Sequence, residues 1–241
     1  MTTRVFAVIP ALNEEPAIAA VVRRLLSELP PLEGVVVVDN GSTDRTAAQA
    51  AAAGAKVVAE PRRGYGRACL AGVNAATQAD ILLLLDGDGA DDVAAARRVL
   101  QPVLDGTADL CVGTRAAADR EAGAMTVQQV LGNRLAALIL RRRYRLAMTD
   151  PGPMRAIRRD VLLRMQMSEM TYGWTIEMTA KAARLRLRYV EVPVAYRRRA
   201  GKSKVGGTLR GSLGAAVAIL GTLWRHRNWA PEPHPRSELQ A

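Results

Sequence analysis

Several residue types that small proteins use for bracing or for chemistry are scarce in this chain. Of its 241 residues, two are cysteine, two are histidine and one is phenylalanine, and aromatic residues make up 4%. Cys69 and Cys111 cannot form a disulfide scaffold, and no Cys-x-x-Cys pair offers a zinc site. Both are expected to be reduced and buried, in a cytosolic setting. His226 and His234 lie near the C-terminus, and no catalytic role is expected of them. Lysine supplies only four of the 34 basic residues, and arginine the other thirty. No apolar run approaches the roughly 20 residues that a membrane-spanning helix needs. The longest mild stretch, 213–224, is interrupted by Gly214 and Gly221. The run Val5–Ile9 stops at Pro10 and is too short for a secretory signal. Any membrane association is therefore expected to be peripheral.

What is present is a globular fraction of apolar residues, 49%, with a net charge of +11. That much apolar material excludes a disordered basic tail. The charge suits nucleic acid, anionic lipid or phosphorylated substrates, or reflects an arginine-rich composition with no ligand behind it. Single-stranded nucleic-acid binders interleave basic residues with stacking aromatics, and no such interleaving occurs here, so no nucleic-acid partner is expected. The bases gather late: five arginines fall in 134–145 and eight Lys/Arg in 184–204. The acids gather earlier, with four aspartates between Asp86 and Asp92.

The first half alternates strand and helix patterns. Val5–Ile9, Val35–Val38, Ala55–Ala59, Ile81–Leu85 and Leu110–Val112 read as strands. Helices are expected from about Glu15 to Leu29 (capped by Asn13), over Thr43–Ala53 (capped by Ser42), Gly66–Ala79 and Val93–Leu104. This rhythm predicts an α/β fold with a mostly parallel, twisted, Rossmann-like sheet flanked by helices. Beyond Arg115 the expectations are an amphipathic helix over Met125–Arg143, a largely irregular Asp150–Arg158, a helix over Trp174–Arg184 and a strand over Leu187–Val194. A basic loop, Tyr196–Gly207, then leads to an amphipathic C-terminal helix, Thr208–Arg225, and a disordered tail, 228–241.

In such sheets ligands bind beyond the carboxyl ends of the strands. Three strands end in polar clusters: Pro10–Glu15, Asp39–Asp44 and Asp86–Asp92. Carboxylates packed as closely as Asp86 and Asp88 repel one another unless a cation sits between them. A hard divalent ion, which takes oxygen ligands, resolves the conflict. Asp91 and Asp92 equally suit the positive end of the following helix. Asp39 suits either a nucleoside contact or a local Asx-turn. No Gly-x-Gly-x-x-Gly follows the first strand, and Gly64-Tyr65-Gly66-Arg67 lacks the Gly-Lys-Ser/Thr ending of a phosphate-binding loop.

Taken in order, Ile9–Glu14, Val38–Asp44, Gly64–Gly72, Asp86-Gly87-Asp88, Val112–Arg115, Glu191–Val194 and Arg198–Lys204 resemble family 2 glycosyltransferases of the GT-A fold. The likeness is to the branch that includes dolichol-phosphate mannose synthase and bacterial polyprenyl-phosphate glycosyltransferases. It covers roughly residues 4–210, and the implied domain is 1–227, with a donor-binding half (1–115) and an acceptor half (116–227).

The resemblance implies an inverting transfer of a hexose from a nucleotide sugar of the GDP-mannose or UDP-glucose type. The acceptor would be a lipid phosphate at the cytoplasmic membrane face. Asp39 would bind the base, while Pro10, Ala11, Asn13, Glu14, Gly41 and Arg67 would line the donor pocket. Asp86 and Asp88, with Gly87 between them, would hold Mg²⁺ or Mn²⁺ on the diphosphate. Arg198, Ser203 and Lys204 would close over the same phosphates. Arg115 is the first candidate for the acceptor phosphate; Arg134 and Arg141–Arg143 are secondary ones.

A hydroxyl acceptor would instead require a base, for which Glu177, beside Tyr172 and Trp174, is the candidate. A nucleotidyltransferase and a non-enzymatic basic binder are the remaining alternatives. Three departures from the branch stand out. Asn40 stands where many relatives have a second aspartate, Ala90 lies where some close relatives offer a polar metal-side residue, and Asp150–Arg155 lacks the branch's aromatic motif.

Overall fold

The computed structural model describes residues 2–29, 32–115, 120–199 and 221–230. Seven strands form one sheet: β1 (Val5–Ala11), β2 (Leu32–Asp39), β3 (Lys56–Ala59), β4 (Ile81–Leu84), β5 (Leu110–Thr114), β6 (Arg155–Arg158) and β7 (Tyr189–Pro193). Their order is β3-β2-β1-β4-β6-β5-β7. Every pairing is parallel except the two made by β6, which runs antiparallel between β4 and β5.

The apolar runs of β1, β2 and β4 are continuous because both faces of the sheet are covered. Side chains alternate between two cores. Val5, Ala7, Ile9, Val35, Val37, Ile81 and Leu83 enter one core, packed with α1 (Ile18–Glu28) and α4 (Val93–Leu104). Val8, Val36, Val38, Leu82 and Leu84 enter the other, with α3 (Tyr65–Ala75), α6 (Arg159–Arg164) and α7 (Trp174–Arg184). Cys111 belongs to the first core and Cys69 to the second, so the sheet itself separates the two thiols. A short α2 (Thr46–Ala52) joins β2 to β3, and α5 (Val127–Tyr144) follows β5.

The sequence expectations need several corrections. Residues 150–158 are not wholly irregular, because Arg155–Arg158 is β6, a central strand. Asn13 does not cap α1: it sits at φ +52°, and the helix starts at Ile18 behind Ala17. Ser42 does not cap α2 but accepts the Asn13 N–H at 2.9 Å, tying the ends of β1 and β2 together. The helix α5 is not simply amphipathic, for it is apolar on two opposite faces: Ala136, Ala137 and Leu140 are buried, while Val127, Leu131, Leu135 and Leu138 are exposed.

Residues 221–225 are helical, but 208–220 and the tail 231–241 lie outside the described residues. Among the described residues no helix is long and apolar enough to cross a membrane.

Candidate active site

A cleft of about 720 Å³ opens at the carboxyl ends of β1, β2, β4 and β5. That size suits a small-molecule ligand. One wall is the end of β1 and the segment after it, namely Pro10, Ala11, Leu12, Asn13 and Glu14. Asp86, Gly87 and Asp88, after β4, form the floor. Cationic groups converge from three directions: Arg63 after β3, Arg115 after β5, and Arg199 after β7. Tyr65, Tyr172 and Tyr196 supply the aromatic surface, and Trp174 is buried in the core instead.

Asp86 accepts the Tyr65 hydroxyl at 3.0 Å. Burial, and then the charge of Asp88, push its carboxyl up to about 6. Asp88 accepts the Ala90 N–H at 2.9 Å and pairs with Arg199 at 3.2 Å. Asp91 accepts the Asp86 N–H at 3.2 Å, and its other oxygen is buried with no hydrogen-bond partner among the described residues. Burial, and then Asp86 and Asp88, push the Asp91 carboxyl well up. Asp92 is the N-cap of α4, accepting the Ala94 N–H at 3.2 Å.

A hard divalent cation fits this donor set. The ligands are oxygens, the two cleft carboxylates repel one another, and one neighbouring carboxylate oxygen is unsatisfied. Among the described residues no three His, Cys, Asp or Glu groups gather around one point. Mg²⁺-type sites need only one or two carboxylates when phosphates and water complete the shell.

Arg115 is the most constrained cation. It donates from Nε and Nη2 to the two oxygens of Asp150, at 2.7 and 3.0 Å, and its backbone N–H adds a third bond at 3.0 Å. The guanidinium lies 5.0 Å from the centre of the Tyr196 ring. Burial alone would lower its pKa, but the Asp150 charge holds it above the ordinary value. Asp150 also accepts from Asn133 of α5 at 2.8 Å. The pair is 35 residues apart in sequence, so spacing offers no hint of it.

Some expected site residues point elsewhere. Glu177 is the clearest correction: it is fully buried on α7 and does not line the cleft. Its carboxylate pairs with Lys181 at 2.6 Å and accepts the N–H groups of Ser168 and Glu169. Burial would raise its pKa, but Lys181 and these N–H groups hold it below the usual carboxylate range. Asp39 accepts the Ser42 N–H at 3.0 Å, the Asx-turn, and neither it nor Gly41 is among the cleft-lining residues. Arg67 is also outside the lining. Arg198 turns to Glu121 and Ala122, while its neighbour Arg199 enters the cleft; a run of three arginines gives no sign of which one turns inward. Arg134 and Arg141–Arg143 do not line the cleft. Ser203 and Lys204 lie outside the described residues.

The glycine-rich segment before α3 serves packing. The Gly66 and Arg67 N–H groups donate to the carbonyls of Thr171 and Met170, at 3.2 Å each. A Cβ on Gly66 would collide with the Glu169 carbonyl. The first turn of α3 is thereby clamped to the loop that brings Thr171 and Tyr172 into the cleft.

Asn40 has a comparable use. Its amide nitrogen donates to the Glu60 and Arg62 carbonyls at 2.8 and 3.0 Å, and its oxygen accepts the Gly64 N–H at 2.8 Å. An aspartate cannot donate, so Asn40→Asp should lower stability by about 1–3 kcal/mol. Thermal unfolding at neutral pH would register this as a fall in Tm.

The sequence matches the pattern described as Glycosyl transferase family 2 over residues 6–165. It is 41% identical over 216 residues to an uncharacterized glycosyltransferase of Mycobacterium tuberculosis, covering 88% of this chain and 93% of that one. It is 31% identical over 238 residues to an undecaprenyl-phosphate mannosyltransferase of Micrococcus luteus, covering 92% and 93%. Among solved structures, glucosyl-3-phosphoglycerate synthase from Mycobacterium tuberculosis, in complex with Mn²⁺, UDP and phosphoglyceric acid, superposes with a TM-score of 0.74. That alignment has 23% identity and covers 95% of this chain and 80% of that one. The fold is therefore that of the GT-A enzymes.

Proposed function

Because the chain belongs to glycosyl transferase family 2, we propose that it transfers a hexose from a nucleoside-diphosphate sugar to a polyprenyl phosphate at a membrane surface, with inversion and with a divalent metal. One observation carries this reading. The cleft joins a carboxylate pair, Asp86 and Asp88, to three arginines, Arg63, Arg115 and Arg199. That composition suits two phosphate-bearing reactants and a cation.

Asp86 and Asp88 would hold Mg²⁺ or Mn²⁺. When bound, the ion neutralises charge building on the departing nucleoside diphosphate. The remaining work falls to the protein. Pro10 to Glu14 supply the donor wall. Arg199, already beside Asp88, is the cation best placed to follow the leaving phosphates, since its planar fork grips phosphate oxygens in pairs. Arg115, fixed by Asp150, faces the acceptor. Its rigid position lets it hold a phosphate without a conformational search.

A phosphate monoester has a second pKa of about 6, so the acceptor oxygen is already anionic at neutral pH. No general base is then needed, which accords with Glu177 lying away from the cleft. The acceptor also follows the Micrococcus luteus relative, whose name specifies undecaprenyl phosphate.

The test supplies labelled GDP-mannose or UDP-glucose, Mg²⁺ or Mn²⁺, and polyprenyl phosphate. Label is expected in an organic-extractable product. Label confined to water-soluble products would overturn the lipid acceptor.

A further inference from the structure

Among the described residues, the outward face of α5 packs into none of the hydrophobic cores. Val127, Leu131, Leu135 and Leu138 are 71%, 59%, 50% and 45% exposed. Their spacing of three and four residues puts them on one side of the helix. Arg134, Arg141 and Arg142, also exposed, fall on that same side at the same spacing. No acidic residue occurs in α5. The opposite side is already committed: Ala136 and Leu140 pack with Ile176 and Ala180 of α7 and with Leu223. Packing among the described residues therefore accounts for only one of two apolar faces.

We propose that this outward face docks the protein on an anionic lipid bilayer, with the leucines in the acyl boundary and the three arginines on the headgroups. Charge complementarity selects this occupant. A self-associating leucine face has no use for three like charges, whereas a basic apolar helix face suits anionic headgroups above hydrocarbon. The position along α5 agrees. Met125, just before the helix, and Gln129, in its first turn, line the cleft, and Asn133 holds the Asp150 carboxylate that fixes Arg115. One helix thus presents leucines outward while its opposite side supports the cleft. The inference rests on the lipid-phosphate reading for its purpose but not for its test.

Sedimentation with vesicles of phosphatidylcholine, alone or mixed with phosphatidylglycerol, provides that test. Wild-type protein should bind the mixed vesicles and release with salt. Replacing Arg134, Arg141 and Arg142 together by glutamine should weaken binding roughly 100-fold. Replacing Leu131, Leu135 and Leu138 together by serine should weaken it at least about tenfold, with the salt dependence retained. All of these side chains are exposed, and circular dichroism will check that the variants fold. Turnover of the leucine variant with a short-chain, water-soluble phosphate acceptor should match wild type.

Equal vesicle binding by wild type and both variants would overturn the docking face. So would a wild-type dimer that the serine variant converts to monomers, or binding of an RNA oligonucleotide in place of vesicles. Face-dependent vesicle binding without any transfer to polyprenyl phosphate would instead leave the docking face standing and remove the acceptor assignment.

Discussion

Asp88→Asn should reduce turnover by at least about 100-fold while leaving the protein folded. The side chain faces the cleft, and its two oxygens have separate work. One accepts the Ala90 N–H, which an asparagine oxygen can still do. The other pairs with Arg199. Losing the charge would remove one of the two carboxylates proposed to hold the cation and would free Arg199 from its resting partner. A metal-stabilised leaving group is worth several kcal/mol of transition-state energy, and each 1.4 kcal/mol is about tenfold in rate.

Asp86→Asn should show the complementary signature. Burial and the Asp88 charge disfavour its ionised form, so neutralising it should leave the Tm of the metal-free protein unchanged or raised while activity is lost. The measurements are kcat across a Mn²⁺ titration and thermal shift with donor plus metal. Retained turnover with an unaltered metal dependence in Asp88→Asn would remove this residue from the catalytic assignment.

Glu177 should behave in the opposite way. Glu177→Ala leaves Lys181 buried beside no carboxylate, and the Ser168 and Glu169 N–H groups lose their acceptor. Breaking a buried ion pair from one side costs about 3–5 kcal/mol. Glu177→Gln keeps an acceptor and should cost less. In the folded fraction of Glu177→Gln, kcat should stay within about threefold of wild type, against the ~10²–10⁴-fold loss expected of a missing general base. A Gln variant with wild-type Tm and no turnover would falsify the structural assignment.

The pH dependence has a definite sign. The Glu177 pKa is held low in the fold, so its contribution is complete above the ordinary carboxylate value and is lost as pH falls through the folded value. His226, whose Nε2 lies 3.3 Å from Glu177, is depressed by burial, so it too destabilises as pH drops below its unfolded value of about 6.5. Both groups predict a Tm that falls on the acid side, and Glu177→Gln should flatten the lower part of that fall.

The parts legible in the sequence were those where one physical signal dominated. A four-valine run ending in Asp39, or five apolar residues ending in Asp86, can hardly be anything but a buried strand opening onto a polar edge, and the second run located the cleft floor. β6 was hidden because Arg-Ala-Ile-Arg carries no such signal. Arg155 is buried there with its Nε and Nη1 donating to Gly152, Thr175 and Thr179, and a sequence does not list those partners. Glu177 sits in the first turn of α7, where a catalytic and a structural carboxylate look alike. What separates them is burial against Lys181, one helical turn on, together with N–H groups from a loop that precedes the helix. Arg198 and Arg199 differ only in which way the backbone turns after Tyr196. The Arg115–Asp150 pair joins segments whose meeting depends on β6 lying between β4 and β5.

That antiparallel strand has a further consequence during synthesis. Both neighbours of β5 in the sheet, β6 and β7, come later in the chain, and β4 has one open edge until β6 arrives. A nascent chain that has emerged only to Arg115 therefore exposes both edges of an apolar strand, a state prone to mispairing. Residues 155–158 close the open edge of β4 and one edge of β5 in one step, and the other edge of β5 waits for β7. The same step draws Asp150 toward Arg115, so the carboxylate floor and the cation opposite it come into register together, late on the ribosome.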